Sequence, residues 1–93
     1  MKKIIAIAKI QIIKGKENDY LSLVTPLIEA SKTDETNLVY SVCRDVQNSN
    51  EFIVYEEYIN EEAFNEHCGT QLFQDFVQQV KPLLAKDIDI QTF

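Results

Sequence analysis

Few residues in this chain can move protons near neutral pH. His67 is the only histidine, and its ordinary pKa of about 6.5 suits it to act as a general base or donor. Glu56 and Glu57 stand side by side between Tyr55 and Tyr58. Successive strand residues point to opposite faces, so one of these carboxylates faces a buried layer, where it needs a polar partner or a proton. Glu57 is the expected pocket residue; an ion pair with Arg44 or Lys9 is its plain structural role. Tyr40 joins it conditionally. A four-residue turn at 47–50 pairs Val46 with Glu51 and sets Tyr40 opposite Glu57, whereas a turn one residue longer sets it opposite Tyr58. His67, Glu57 and Tyr40 are therefore the candidate catalytic set. Phe64, Phe73 and Phe76 suit a core, and also the walls of a site for a flat ligand. Arg44 is the only arginine and the cationic candidate for holding a substrate. Cys68 adjoins His67, but no second histidine is present to orient a nucleophilic pair.

Composition narrows the chemistry. Gly15 and Gly69 are the only glycines, so neither a dinucleotide fingerprint nor a phosphate-cradling loop can form. There is no GxSxG elbow, and one histidine cannot build a multi-histidine metal site within a chain. No cofactor and no metal are expected. A net charge of -6 argues against nucleic acid or an anionic membrane as the main partner. No apolar run reaches the roughly 18 residues of a membrane span. The opening MKKIIAIAKIQII has the lysines and apolar run of a signal peptide. Lys9 and Gln11 interrupt it, however, and it reads better as a strand. Cys43 and Cys68 form no CxxC pair and read as reduced thiols in a cytoplasmic protein.

The elements that must position these residues follow from periodicity. With 93 residues the chain is expected to form one domain. Isoleucine dominates residues 3–13, a first strand with Ile4, Ala6, Ala8, Ile10 and Ile12 on one face and Ile5, Ile7 and Ile13 on the other. Tyr20, Leu23, Val24, Leu27 and Ile28 make one helical stripe over 17–32, with Pro26 expected to bend the helix near Ser22. Residues 38–46 and 52–59 read as a hairpin. Asn60 caps a short helix beginning Glu61-Glu62, and Gly69 is expected to break it from a second helix over 70–84. A last strand covers 87–93. The order β-α-β-β-α-β predicts a ferredoxin-like α+β fold, a four-stranded antiparallel sheet with helices on one face. The uncovered face is apolar in the first and third strands, with Ile53, Tyr55 and Ile59 in the latter. A second copy of the chain is its natural cover, so a homodimer is expected.

Residues 38–76 carry a resemblance. Tyr40, Arg44-Asp45, Asn50-Glu51-Phe52, Tyr55-Glu56-Glu57-Tyr58, Glu62-Ala63-Phe64-Asn65-Glu66-His67 and Thr70-Gln71-Leu72-Phe73 follow in order. This pattern resembles the antibiotic biosynthesis monooxygenase family of dimeric α/β barrels. The chain departs from it where Thr70-Gln71-Leu72-Phe73 replaces the frequent Thr-Pro-His-Phe, and where Tyr58 stands in place of a common tryptophan. The resemblance implies cofactor-free oxygenation of a quinol-like or phenolic metabolite by dioxygen, with a base, a dry cavity and orientation supplied by the protein. The family also includes isomerases of phosphorylated signalling sugars, for which Arg44 is the single arginine available. Its haem-degrading branch usually carries a histidine on the last helix, and residues 70–84 have none. A non-catalytic dimeric ligand-binding or stress-response module is the remaining alternative.

Overall fold

The computed structural model describes residues 2–93. Four strands, β1 (Ile4–Gln11), β2 (Asn37–Arg44), β3 (Glu51–Tyr58) and β4 (Asp89–Thr92), form one sheet in the order β2-β3-β1-β4 with every pairing antiparallel. Three α-helices, α1 (Glu17–Ser31), α2 (Glu61–Cys68) and α3 (Gln71–Val80), cover one face. This is the ferredoxin-like arrangement expected from the element order. Among the described residues no helix is long and apolar enough to cross a membrane.

The even-numbered stripe of β1 faces the helices: Ala6, Ala8, Ile10 and Ile12 are buried, as are Phe52 and Val54 of β3. Tyr20, Val24 and Leu27 of α1 and Phe76 and Val80 of α3 close over them. Full burial of one large apolar side chain stabilises the fold by about 1.5–3 kcal/mol. The opposite stripe alternates half-buried Ile5 and Ile7 with exposed Lys9 and Ile53.

Local chemistry sets the element ends. Gly15 turns the chain into α1 with φ 96°, a conformation glycine adopts without a Cβ penalty. α1 continues through Pro26 as one helix. α2 stops at Gly69, but the break itself is made by Thr70, not by the glycine. Gly69 keeps a helical backbone, whereas Thr70 is extended and its hydroxyl accepts from the Phe73 N–H at 3.2 Å, opening α3. α3 ends at Val80, short of the expected residue 84. Pro82 lacks the N–H that another α turn needs, and Lys81–Leu83 tighten into a 3-10 turn. That turn is tied back to β1 by Ile13 N–H donating to Leu83 O at 2.8 Å and Ala85 N–H to Gln11 O at 2.8 Å.

The β2–β3 hairpin adopts neither expected register. The Asp45 carboxylate accepts from the N–H groups of Gln47 (2.9 Å) and Asn48 (2.8 Å), and the Asp45 N–H donates to Glu51 O at 2.9 Å. This Asx turn ends β2 before Asp45 and pairs Arg44 with Phe52, Val42 with Val54 and Tyr40 with Glu56. Asn50, buried at the turn, donates its side-chain amide to Ile12 O at 2.9 Å and locks the hairpin against β1.

Candidate active site

Alternation along β3 decides which glutamate turns inward. Glu56 shares its face with Phe52 and Val54, packs beneath the helices and is buried. Glu57 points to the uncovered face, where Lys3 Nζ donates to its Oε1 at 2.9 Å and Tyr55 Oη to its Oε2 at 2.6 Å. These partners hold the Glu57 carboxyl below its usual range, the Tyr55 bond contributing most. The assignment of Glu57 to the pocket is therefore corrected to Glu56, which alternates with the inward Phe52 and Val54, and the earlier turn at Asp45 sets Tyr40 opposite it. The partner of Glu57 is Lys3 rather than Arg44 or Lys9.

A cavity of about 200 Å³ lies between sheet and helices, with Tyr40, Glu56, Phe64, His67, Phe73 and Phe76 in its walls. Helix α2 brings His67 there. Asn60 Oδ1 accepts from the Ala63 N–H at 2.8 Å, and Glu61 and Glu62 favour the positive end of the helix. Ala63, Phe64 and His67 then share the inward face at helical spacing. The imidazole sits within an aromatic cage, its centroid 5.1 Å from Phe73, 5.5 Å from Tyr58 and 6.0 Å from Tyr40. Phe76 both lines the cavity and packs edge-on against Tyr20 at 6.4 Å, so it serves core and wall together.

His67 Nε2 lies 3.8 Å from Glu56 Oε1 and is buried without a hydrogen-bond partner. The spacing falls within ion-pair range, yet it is longer than a hydrogen bond. Burial pushes the Glu56 carboxyl up, opposed by the hydrogen bond from Tyr58, whose hydroxyl donates to Oε1 at 2.7 Å. Burial also pushes His67 down from 6.5, opposed by the charge of Asp34. Burial thus disfavours the charged form of each group and works against a fully formed ion pair. The hydroxyls of Tyr40 and Tyr58 are raised, by burial first and by the Glu56 charge second, and stay protonated.

Arg44 does not reach the cavity. Its guanidinium stacks over the Phe52 ring, Cζ 4.9 Å from the centroid, at the far end of β2. The expected substrate contact is thus corrected to a cation–π contact. The walls carry no lysine or arginine. Cys43 and Cys68 are free thiols, and burial raises Cys68, which disfavours its thiolate.

Sequence reasoning did not single out Tyr58, which is fully buried against Glu56, or Tyr20, whose buried hydroxyl has no partner. The signal for Glu56 was nevertheless present. Glu56 alternates with the apolar Phe52 and Val54, whereas Glu57 falls with Ile53 and Tyr55 on the uncovered face.

Comparison with known proteins follows the same geometry. Residues 3–79 match the family model described as Antibiotic biosynthesis monooxygenase. A Bacillus subtilis (strain 168) protein named "Putative monooxygenase YcnE" is 31% identical over 83 residues, covering 89% of this chain and 87% of the relative. A Synechocystis protein named "Uncharacterized protein sll1783" is 28% identical over 90 residues; the match covers 97% of this chain but 61% of that longer protein. Among solved structures, a conserved protein from Methanosarcina mazei Go1 superposes with a TM-score of 0.93 at 24% identity, covering 100% of this chain and 92% of the other. A Caulobacter crescentus CB15 structure described as a "putative antibiotic biosynthesis monooxygenase" superposes with a TM-score of 0.91 at 22% identity, covering 98% and 87%. The structural likenesses establish the shared fold. The extent of the sequence match establishes more: this chain belongs to the antibiotic biosynthesis monooxygenase family.

Proposed function

We propose that this protein is a cofactor-independent monooxygenase acting on a quinol-like or phenolic metabolite with dioxygen. The observation that carries this reading is the buried Glu56–His67 pair, 3.8 Å apart, in the wall of an otherwise largely apolar cavity. A volume of about 200 Å³ suits a small flat ligand between aromatic walls. Glu56, backed by His67, takes a proton from the substrate, and Tyr40 supplies a hydroxyl to orient it. The substrate anion passes one electron to dioxygen, and the resulting radical and superoxide couple as a peroxide. Return of the proton and loss of water leave a new carbonyl, so one oxygen atom enters the product and the other leaves as water. Apolar walls keep the anion and peroxide away from bulk water.

The alternative of a phosphorylated-sugar isomerase loses support at the same walls. They hold a carboxylate and no cation, so burying a phosphate there is costly. A non-catalytic binding module becomes the better reading if no substrate is turned over.

The reading includes a homodimer closed through the uncovered sheet face. Ile5 and Ile7 lie there beside exposed Ile53 and Phe93, with the Lys3–Glu57–Tyr55 hydrogen bonds at their edge. It also places the protein in the cytoplasm, where Cys43 and Cys68 remain free thiols. The deciding experiment is oxygen uptake by purified protein across a panel of quinols and phenols with no added cofactor. Uptake with one oxygen atom inserted, a phenol giving its quinone or a quinol its hydroxyquinone, and water released is expected. A flat trace across the panel would overturn the enzyme reading in favour of the binding module.

A further inference from the structure

Among the described residues, His67 alone lines both the inner cavity and the outer cleft beside it. On one side lies the inner cavity with Glu56. On the other lies an outer cleft of about 290 Å³, formed where the end of α1 and the connector to β2 meet α2 and the start of α3. Ser31, Asp34, Thr36, Glu66 and Thr70 give that cleft a polar lining. Besides His67, the polar side chains of the inner cavity are Tyr40, Glu56 and the thiol of Cys68. Of these groups only His67 also reaches the cleft, so it offers a side-chain route for a proton released inside.

Imidazole is suited to such a crossing, since it can accept a proton on one nitrogen and release one from the other. Nε2 faces the inner carboxylate and has no hydrogen-bond partner to compete for it. The titratable groups around the ring are Glu56 and Tyr58 from β3, Tyr40 from β2, and Glu66 and Cys68 on α2 itself. Asp34 from the connector completes the set, on the cleft side. Its Oδ1 is held by the Thr36 N–H at 2.9 Å and the Thr36 hydroxyl at 2.6 Å, which fixes the carboxylate as an anion on the cleft wall.

We propose that His67 is a proton gate between the inner cavity and the outer cleft, with Asp34 as the positioning residue that stabilises its charged form. The use of the gate in turnover rests on the monooxygenase reading. The proton that Glu56 removes from the ligand passes to Nε2, and the proton on Nδ1 leaves to water in the cleft. When the peroxide is protonated and expelled as water, the reverse transfer restores the starting tautomer. Glu56 and Nε2 approach to hydrogen-bond distance for the transfer, as catalytic contacts that are long in the free protein commonly do.

As the only histidine, His67 can be followed by NMR without ambiguity. Its ring is titrated in free protein, in protein saturated with 2-naphthol as a neutral bicyclic probe of the inner cavity, and in Asp34→Asn. The gate requires the ring to keep titrating with 2-naphthol bound, because the cleft still reaches it. It also requires Asp34→Asn to move the midpoint to lower pH while Asp34→Glu restores it. Loss of titration on filling the cavity would overturn the gate, as would a midpoint unmoved by Asp34→Asn. If 2-naphthol fails to bind, the aromatic-substrate reading is what suffers, and the Asp34→Asn shift in free protein still decides the gate. In an active enzyme, Asp34→Asn should lower kcat several-fold with little change in KM.

Discussion

Glu56 Oε1 and His67 Nε2 face each other across 3.8 Å with no hydrogen bond between them, each biased by burial toward its neutral form. The pair sets two potential proton acceptors side by side at the wall of the cavity.

Glu56→Gln should cut turnover of a quinol-like substrate by roughly 10²–10⁴-fold, the usual weight of general acid–base catalysis, and His67→Gln should fall in the same range. Glu57→Gln should leave the chemical step nearly intact, because that side chain lies on the other face of the sheet bonded to Lys3 and Tyr55. Oxygen uptake under single-substrate saturation checks all three. A Glu57→Gln enzyme as impaired as Glu56→Gln would contradict the observed register.

The rate should rise with pH along an acid limb whose midpoint lies below 6.5, since burial lowers His67 and the neutral base accumulates earlier than in a free imidazole. The measurement is kcat/KM from pH 4.5 upward. A midpoint above the ordinary histidine value would mean that the ring is stabilised as a cation instead.

Stability should carry the opposite signature from Glu56. Its folded pKa is raised above 4.5, so its favourable contribution is complete below that value and is lost as pH climbs through the folded value. Glu56→Gln has no such loss. Its stability relative to wild type should therefore grow as pH rises from 4.5, as read from urea unfolding at several pH values. A pH-independent difference would show that the carboxylate is not desolvated. His67, with its folded pKa lowered, contributes above 6.5 and loses that contribution as pH falls through its folded value.

Tyr20 is fully buried and its hydroxyl lacks a hydrogen-bond partner. Tyr20→Phe keeps the ring stacked on Phe52, at 4.6 Å between centroids, and removes the unsatisfied oxygen. The variant should be as stable as wild type or more so, by up to about 1–3 kcal/mol, in thermal or urea unfolding. A clear destabilisation would reveal a partner for that hydroxyl, such as a bound water.

The sheet-to-sheet dimer should sediment at twice the chain mass of 10.7 kDa. Ile7→Lys should shift it toward monomer, because an unpaired charge buried in the interface costs several kcal/mol, on the order of 3–5. A wild-type monomer at micromolar concentration would remove the dimer from the reading.

The residue pattern alone determined the order of elements, the inward stripe of β1, the aromatic walls and the candidacy of His67. The first two rest on local periodicity, which a chain displays without its partners, and the last two on residue type. It also determined that one of two adjacent glutamates must turn inward, since alternation along a strand is strict. The same alternation groups Glu56 with Phe52 and Val54, whereas the pairing of β2 with β3, where a one-residue slip reverses every side chain, was not legible. Tertiary structure decided that pairing through the Asp45 turn, setting Tyr40 opposite Glu56, and the β1–β3 pairing brought Glu57 to Lys3. The end of α3 at Val80, the stacking of Arg44 on Phe52 and the exposure of His67 to two hollows are likewise tertiary facts. Each brings together groups from separate elements, and the environment that shifts the Glu56 and His67 protonation equilibria exists only once those elements have packed.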